Sequence, residues 1–321
     1  MAHLRPPPHD AMDRASQLPF AKPESLPWWQ DGRILAVIAA ACFSLKAIWV
    51  KLAYAAHPVA PSTLLALRMA LSLPAFLWLA RQAGAEPLSR RDWAGLFVLG
   101  LVGYYLSSLF DFIGLQYISA GLERLILFTY PAIVWLVEAA LRRQTVPGRV
   151  WLLQGVIYLG LLAAFWHDLT HLPSHEAVLI GGAWVFLSSL TFSCYYLGTG
   201  RLVGRIGSTR LAGASGAIAS GLALGHFGLA GSMAELAVLP PAVWLWSLAM
   251  ALVSTVFPIW LNARAVAKLG AGPTASISAL GPALTIVFGG LLLGEAVSSW
   301  QMLGMALVIG GVWQLGKTGR H

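Results

Sequence analysis

Besides Glu138, which an i,i+4 pair with Arg142 explains at a helix end, six charged side chains fall within or at the edges of stretches otherwise built from apolar residues: Lys46, Lys51, Arg68, Asp111, Glu123 and Arg124. A charge in hydrocarbon costs several kcal/mol on most scales, so each needs a partner or a function. Four cations against two carboxylates leave a surplus of two positive charges. Buried cations of this kind bind an anion, and a neighbouring carboxyl can carry a proton. On that reading Lys46 and Arg68 hold a carboxylate or other anion, and Asp111 or Glu123 carries the proton. The alternative is architectural: pairs such as Arg68–Asp111 fix helix packing while Lys51 and Arg124, near helix ends, snorkel to the headgroups. Snorkelling is the expectation for Lys51 and Arg124; for the deeper Lys46 and Arg68 both readings stay open.

Tyrosines supply the rest of a candidate pocket. Tyr104 and Tyr105, Tyr130, and Tyr195 and Tyr196 all fall in mid-segment. Adjacent residues point about 100° apart on a helix, so one of each pair at most faces the centre. Tyr104, Tyr130 and Tyr195, with the amide of Asn262, complete the candidate substrate site. Pro131, Pro258 and Pro282 free backbone carbonyls at depth, which line a cavity or bond to neighbouring helices.

Other patterns carry no chemistry. Gly311–Thr318 reads GVWQLGKT, a letter-for-letter phosphate-loop match. It lacks the preceding strand and following helix that such a loop needs. His167, His171 and His175 recur at four-residue spacing, but Pro173 interrupts the helix that would gather them around a metal. Cys42 and Cys194 lie in apolar segments and read as packing residues. No cofactor and no metal are expected. His226 stands without a second catalytic group nearby in the sequence, which argues against a membrane-embedded enzyme.

The elements that position these residues follow from composition. Hydrophobic residues make up 58% of the 321 and charged ones only 11%, whereas soluble domains carry about a quarter charged. A spanning helix needs about 20 apolar residues. Such windows occur at roughly 34–54, 61–80, 93–115, 121–141, 150–166, 178–200, 211–230, 243–263, 273–293 and 298–316, giving ten expected spans. Arg81, Arg90 and Arg91; Arg142, Arg143 and Arg149; Arg201, Arg205 and Arg210; and Arg264 and Lys268 occupy alternate connections, and the others have no Lys or Arg. By the positive-inside rule both termini face the cytoplasm. The net charge of +8 thus orients the chain in a membrane and does not point to nucleic acid. Residues 1–32, with six prolines from Pro6 to Pro27, read as a disordered cytoplasmic tail ending in the interfacial Trp28 and Trp29.

An internal repeat is also present. An offset of 151 residues superposes Leu101 on Leu252, Asp111 on Asn262, Ala120-Gly121 on Ala271-Gly272, and Pro131-Ala132 on Pro282-Ala283. Because that offset contains five expected spans, an odd number, the halves lie inverted across the bilayer. Inverted repeats are the hallmark of secondary transporters, whose site lies between the halves. The expected organisation is an all-α polytopic membrane protein with repeats at 33–166 and 178–317. Tight helix contacts are expected at Gly221-x-x-x-Gly225 and Gly290-x-x-x-Gly294.

The chain resembles the drug/metabolite transporter superfamily, in its EamA-type branch. The resemblance rests on Gly270-Ala271-Gly272, Pro282, Gly294-Glu295, Gln301, Gly304 and Gly310-Gly311. In the first half it rests on Lys51, Arg68, the stretch GLQYISAGLERL and Pro131. It implies ten helices in two five-helix repeats and gradient-driven movement of a small metabolite, often export, across a bacterial inner membrane. Two departures stand out: Arg142-Arg143-Gln144 where the family has Gly-Glu, and Lys46 in the first span. The expected partners are a small-molecule substrate, carboxylate-bearing or amino-acid-like, and the bilayer. A membrane enzyme, or a sensor or scaffold without transport, is the alternative.

Overall fold

The computed structural model describes residues 30–82, 87–118, 120–143, 145–164, 166, 174–293 and 297–318. Among them there is no strand. The helices are α1 (Gly32–Ala56), α2 (Pro61–Gln82), α3 (Arg90–Gly114), α4 (Ala120–Leu127), α5 (Tyr130–Arg142) and α6 (Gly148–Ala164), then α7 (His175–Ile206), α8 (Ser208–Ala230) and the short α9 (Met233–Val238). The chain continues through α10 (Pro241–Leu269), α11 (Ala271–Ser278), α12 (Leu280–Leu293) and α13 (Ser299–Thr318). Seven stretches are long and apolar enough to cross a membrane, taking α4–α5 and α11–α12 each as one.

Local sequence sets the ends. Asp31 accepts the Arg33 amide at the start of α1, and Ser89 and Asp92 form a reciprocal cap on α3. Arg205, in the last turn of α7, pairs with that same Asp92. Gly207 and Gly270 adopt φ of 80° and 87°, a conformation side chains resist. Each makes the one-residue link between consecutive helices, α7 to α8 and α10 to α11.

The 151-residue offset recurs in the backbone. Residues 120–127 of α4 map onto 271–278 of α11, and in both copies the helix breaks immediately afterwards. Pro131 and Pro282 follow the breaks, where a missing N–H and the clash with the carbonyl four residues back interrupt the ladder. Thus the fourth and ninth expected spans are each two helices. A wider, π-type turn occupies Gly100–Leu106 in α3 and Leu252–Val256 in α10, again at equivalent positions. Pro258 follows the second, and Thr255 Oγ1 donates to the Met250 carbonyl five residues back at 2.8 Å. Ser107 stands where Pro258 stands in the other copy, so proline does not explain the first.

Packing follows the same symmetry. The α1 helix lies against α10, α11 and α12, as α7 lies against α3, α4 and α5. The equivalent helices α2 and α8 pack on each other, and so do α6 and α13. Small residues make those two contacts close. The α8 glycines Gly213 and Gly216 face Ala80 and Phe76 of α2, while Gly160 and Gly304 face each other across α6 and α13. The contact expected at Gly221 and Gly225 is not made among the described residues: a β-carbon added at either would meet nothing within 4 Å outside its own helix. Those glycines are on the exposed face of α8, and its small-residue seam lies two turns earlier. The contact expected at Gly290-x-x-x-Gly294 involves Gly294, which lies outside the described residues. Gly311–Thr318 is helical, with Gly311 against Ile157 of α6.

Candidate functional site

A cavity of about 90 Å³ lies where α1, α2, α3, α7 and α10 meet the two broken helices. Lys46, Arg68 and Arg124 line it, with Tyr104, Tyr130 and Tyr196, Phe43, Phe128 and Phe192, and several serines. Five pairs of repeat-equivalent residues face this one space: Gly103 and Ser254, Tyr104 and Thr255, Ser108 and Ile259, Leu127 and Ser278, Tyr130 and Gly281. The cavity therefore straddles the axis relating the two copies.

The charges come from the first copy alone. Lys46 Nζ donates to Asp111 Oδ2 at 2.7 Å, with side chains 15% and 2% exposed. Asp111 thus pairs with Lys46, not with Arg68 as the architectural reading expected. Lys46 reaches across from α1, which packs closer to Asp111 than sequence spacing indicates. Arg68 instead donates through Nη2 to Ser108 Oγ at 2.8 Å, and its guanidinium carbon sits 5.2 Å from the Phe112 ring centre. Arg68 is buried, its Nε has no partner, and no carboxylate lies within ion-pair distance of it among the described residues.

Arg124 also departs from expectation. It is buried and lines the cavity rather than snorkelling. The cause is the helix break: α4 is eight residues, about 12 Å long, so Arg124 sits one turn from an interior break. Its Nε approaches Glu123 Oε2 at 3.3 Å, but Nε and Nη2 have no hydrogen-bond partner. Glu123 is fully buried with both oxygens unpartnered, as is Asp111 Oδ1. Both carboxyl groups belong to one buried cluster, Asp111 through its ion pair with Lys46 and Glu123 beside Arg124. The Lys51 side chain lies outside the described residues.

The tyrosines form one connected layer. Tyr104 donates to the Tyr195 hydroxyl at 2.6 Å, and Tyr130 stacks on Tyr196 with centroids 5.3 Å apart. Tyr196 donates to Asn262 Oδ1 at 3.1 Å and shares a 2.9 Å bond with Ser278 Oγ. Of that adjacent pair Tyr196 faces the cavity, whereas Tyr195 stands behind Tyr104 and Asn262 behind Tyr196. Asp111 and Glu123 likewise stand behind the lining cations. His226 lies apart, edge-on to Tyr105 at 6.0 Å. His167 and His171 fall outside the described residues.

Sequence reasoning missed Arg124 and Tyr196 as lining residues, along with Ser107, Ser108, Ser188, Ser254 and Ser278. Serines are ordinary packing residues between membrane helices. Their signal was the repeat, since Ser254 and Ser278 are the equivalents of Gly103 and Leu127.

The sequence profile of the EamA-like transporter family matches residues 31–166 and again 179–316. The chain belongs to that family. A Bacillus subtilis (strain 168) protein, the "Uncharacterized transporter YcbK", is 32% identical over 283 residues, covering 85% of this chain and 88% of its own. A solved crystal structure superposes with a TM-score of 0.70 at 16% identity, over 90% of this chain and 97% of that one, which establishes the likeness of fold. This EamA-family chain is accordingly a transporter of the drug/metabolite superfamily and a multi-pass integral membrane protein.

Proposed function

We propose that this EamA-family chain is a gradient-coupled secondary transporter of a small carboxylate-bearing metabolite, bound in the central cavity and exported across a bacterial plasma membrane. The observation that carries this is the cavity itself. Repeat-equivalent residues line it, and two buried arginines, Arg68 and Arg124, stand in its wall. Bidentate donors of this type suit a carboxylate. Of the carboxylate and amino-acid-like readings, the lining favours the first. Three cations face the space, while both carboxylates stand behind them, so a substrate ammonium would meet like charge.

In this reading ten spans cross the bilayer, with both termini cytoplasmic. They are the seven long apolar stretches together with α6, α8 and α13. The repeats, 33–166 and 178–317, are inverted, so a rocking of one against the other exposes the cavity to each side in turn. The alternating Lys and Arg of the connections support the orientation. Asp111 and Glu123 are the proton-coupling groups. Lys46, Arg68, Tyr104 and Tyr130 meet the substrate, with Tyr195 and Asn262 holding the tyrosine layer in place. Metabolite profiling of cells with and without the protein tests this. A small carboxylate should accumulate inside when the protein is lost. Accumulation confined to amines or neutral solutes would overturn the substrate class.

A further inference from the structure

Resting on the carboxylate reading above, we infer that this carrier moves its anion together with one proton held between Asp111 and Glu123, so that a monocarboxylate crosses as the electroneutral acid. The argument is one of charge and position. Five ionisable groups converge at the cavity: Lys46 from α1, Arg68 from α2, Asp111 from α3, and Glu123 and Arg124 from α4. Tyr54 of α1 lies within electrostatic reach of Asp111, and α7 contributes Ser188, Phe192 and Tyr196 to the lining. With all five charged, the set totals +1. A monoanion brings it to zero, and a proton on the empty carrier raises it to +2.

Two kinds of cycle are open to such a site. If anion and proton travel in opposite directions, the carrier alternates between zero and +2 in a buried space. If they travel together, it holds +1 both empty and loaded. The second cycle avoids a swing of two charges at low dielectric. The built site has a place for the proton: Glu123 is fully buried with neither oxygen hydrogen-bonded, and Asp111 Oδ1 in the same cluster also has no partner, so a protonated carboxyl there supplies the donor that these acceptors lack. It has a place for the anion where Arg68 and Arg124 stand in the cavity wall. By reciprocity each ligand strengthens the other's binding equally. Any two unit charges about 8 Å apart at an effective dielectric constant of about 20 couple by roughly thirtyfold.

The only bond made and broken in this step is the O–H bond of the carried proton. One proton leaves the solution on the loading side for the carboxyl pair, and it departs with the anion on the other side. Export then runs down the concentration gradient of an acid that the cell's own oxidative or hydrolytic chemistry releases.

The test uses the full chain, purified in detergent. Sodium propionate, lactate and benzoate are titrated between about pH 5.5 and 8, with propionamide and benzamide as neutral counterparts and a pH indicator in weak buffer. At least one acid should bind tenfold or more tightly at the lower pH and should take up as much as one proton per anion. Asp111→Asn and Glu123→Gln should each flatten the pH dependence. Binding without pH dependence or proton uptake overturns the inference and leaves the carboxylate site standing. Unchanged pH dependence in both variants overturns the assignment of the proton to this pair. If no acid binds at any pH, the carboxylate reading fails and the inference with it.

Discussion

Removing Lys46 exposes how the charges of the cavity depend on one another. In Lys46→Met the Asp111 carboxylate, 2% exposed, loses its 2.7 Å partner. Its other oxygen already has none. Breaking a buried pair by deleting one member costs roughly 3–5 kcal/mol, because an uncompensated charge stays behind. Lys46 is 15% exposed, which lets some solvent reach the pair and sets the expectation near the lower figure. Asp111→Asn should restore most of the loss, since the equivalent residue of the second repeat is Asn262 and the helix there accommodates an amide. The four forms make a double-mutant cycle, read by abundance in membranes and by unfolding temperature in detergent. An interaction energy of about 2–3 kcal/mol is expected, at the upper end for contacting residues. Additivity within about 0.5 kcal/mol would refute the pairing.

Three further expectations concern the frame. Gly103→Ala should cost about 1–3 kcal/mol by overpacking, because a β-carbon there would lie 2.6 Å from the Tyr195 ring; an unchanged unfolding temperature would contradict the packing of α3 on α7. Glu235→Gln should lower the unfolding temperature by a few degrees. That carboxylate accepts from the Ala60 amide at 2.7 Å and from the Thr63 hydroxyl at 2.5 Å, tying the link after α8 to the start of α2. No change in unfolding temperature would remove that tie from the account. Reporter fusions after Ala55, Gln116, His171, Glu235 and Ala296 should report the outside, and those after Glu86, Gln144, Arg205 and Lys268 the cytoplasm. Two successive fusions on one side would remove a span and the inversion with it.

Much of the frame was legible because membranes impose simple rules. Hydrophobic length marks spans, and the 151-residue offset linked Asp111 to Asn262 and Pro131 to Pro282 before any geometry was known. The same offset carried unread information: the matched π-type turns at Gly100–Leu106 and Leu252–Val256 lack a sequence rule that would announce them. Depth counted along an unbroken helix misplaced Arg124, since α4 stops at Leu127. Which of two adjacent tyrosines faces inward depends on the phase of α7 against its neighbours, and Tyr196 rather than Tyr195 holds that place. Partner choice was the least legible feature. Arg68 reaches Ser108 and the Phe112 ring on either side of Asp111 in α3, while Lys46 of α1 takes the carboxylate itself. Gly221 and Gly225 show that a small-residue pattern states what a helix permits, while its rotation decides what it contacts.

Solute exchange in proteoliposomes tests the central claim most directly: that the cavity between the repeats carries a carboxylate through the membrane. Vesicles loaded with an unlabelled acid that binds the purified protein should accumulate the same labelled acid from outside, and the neutral amide should neither exchange nor compete. Arg68→Gln removes a buried cation that has no carboxylate partner, so the protein should reach the membrane in normal amounts. Losing a charged hydrogen bond of about 1.5–3 kcal/mol should weaken exchange by roughly 10- to 150-fold. Exchange at the rate of the unaltered protein in Arg68→Gln vesicles, with equal protein incorporated, would contradict the account.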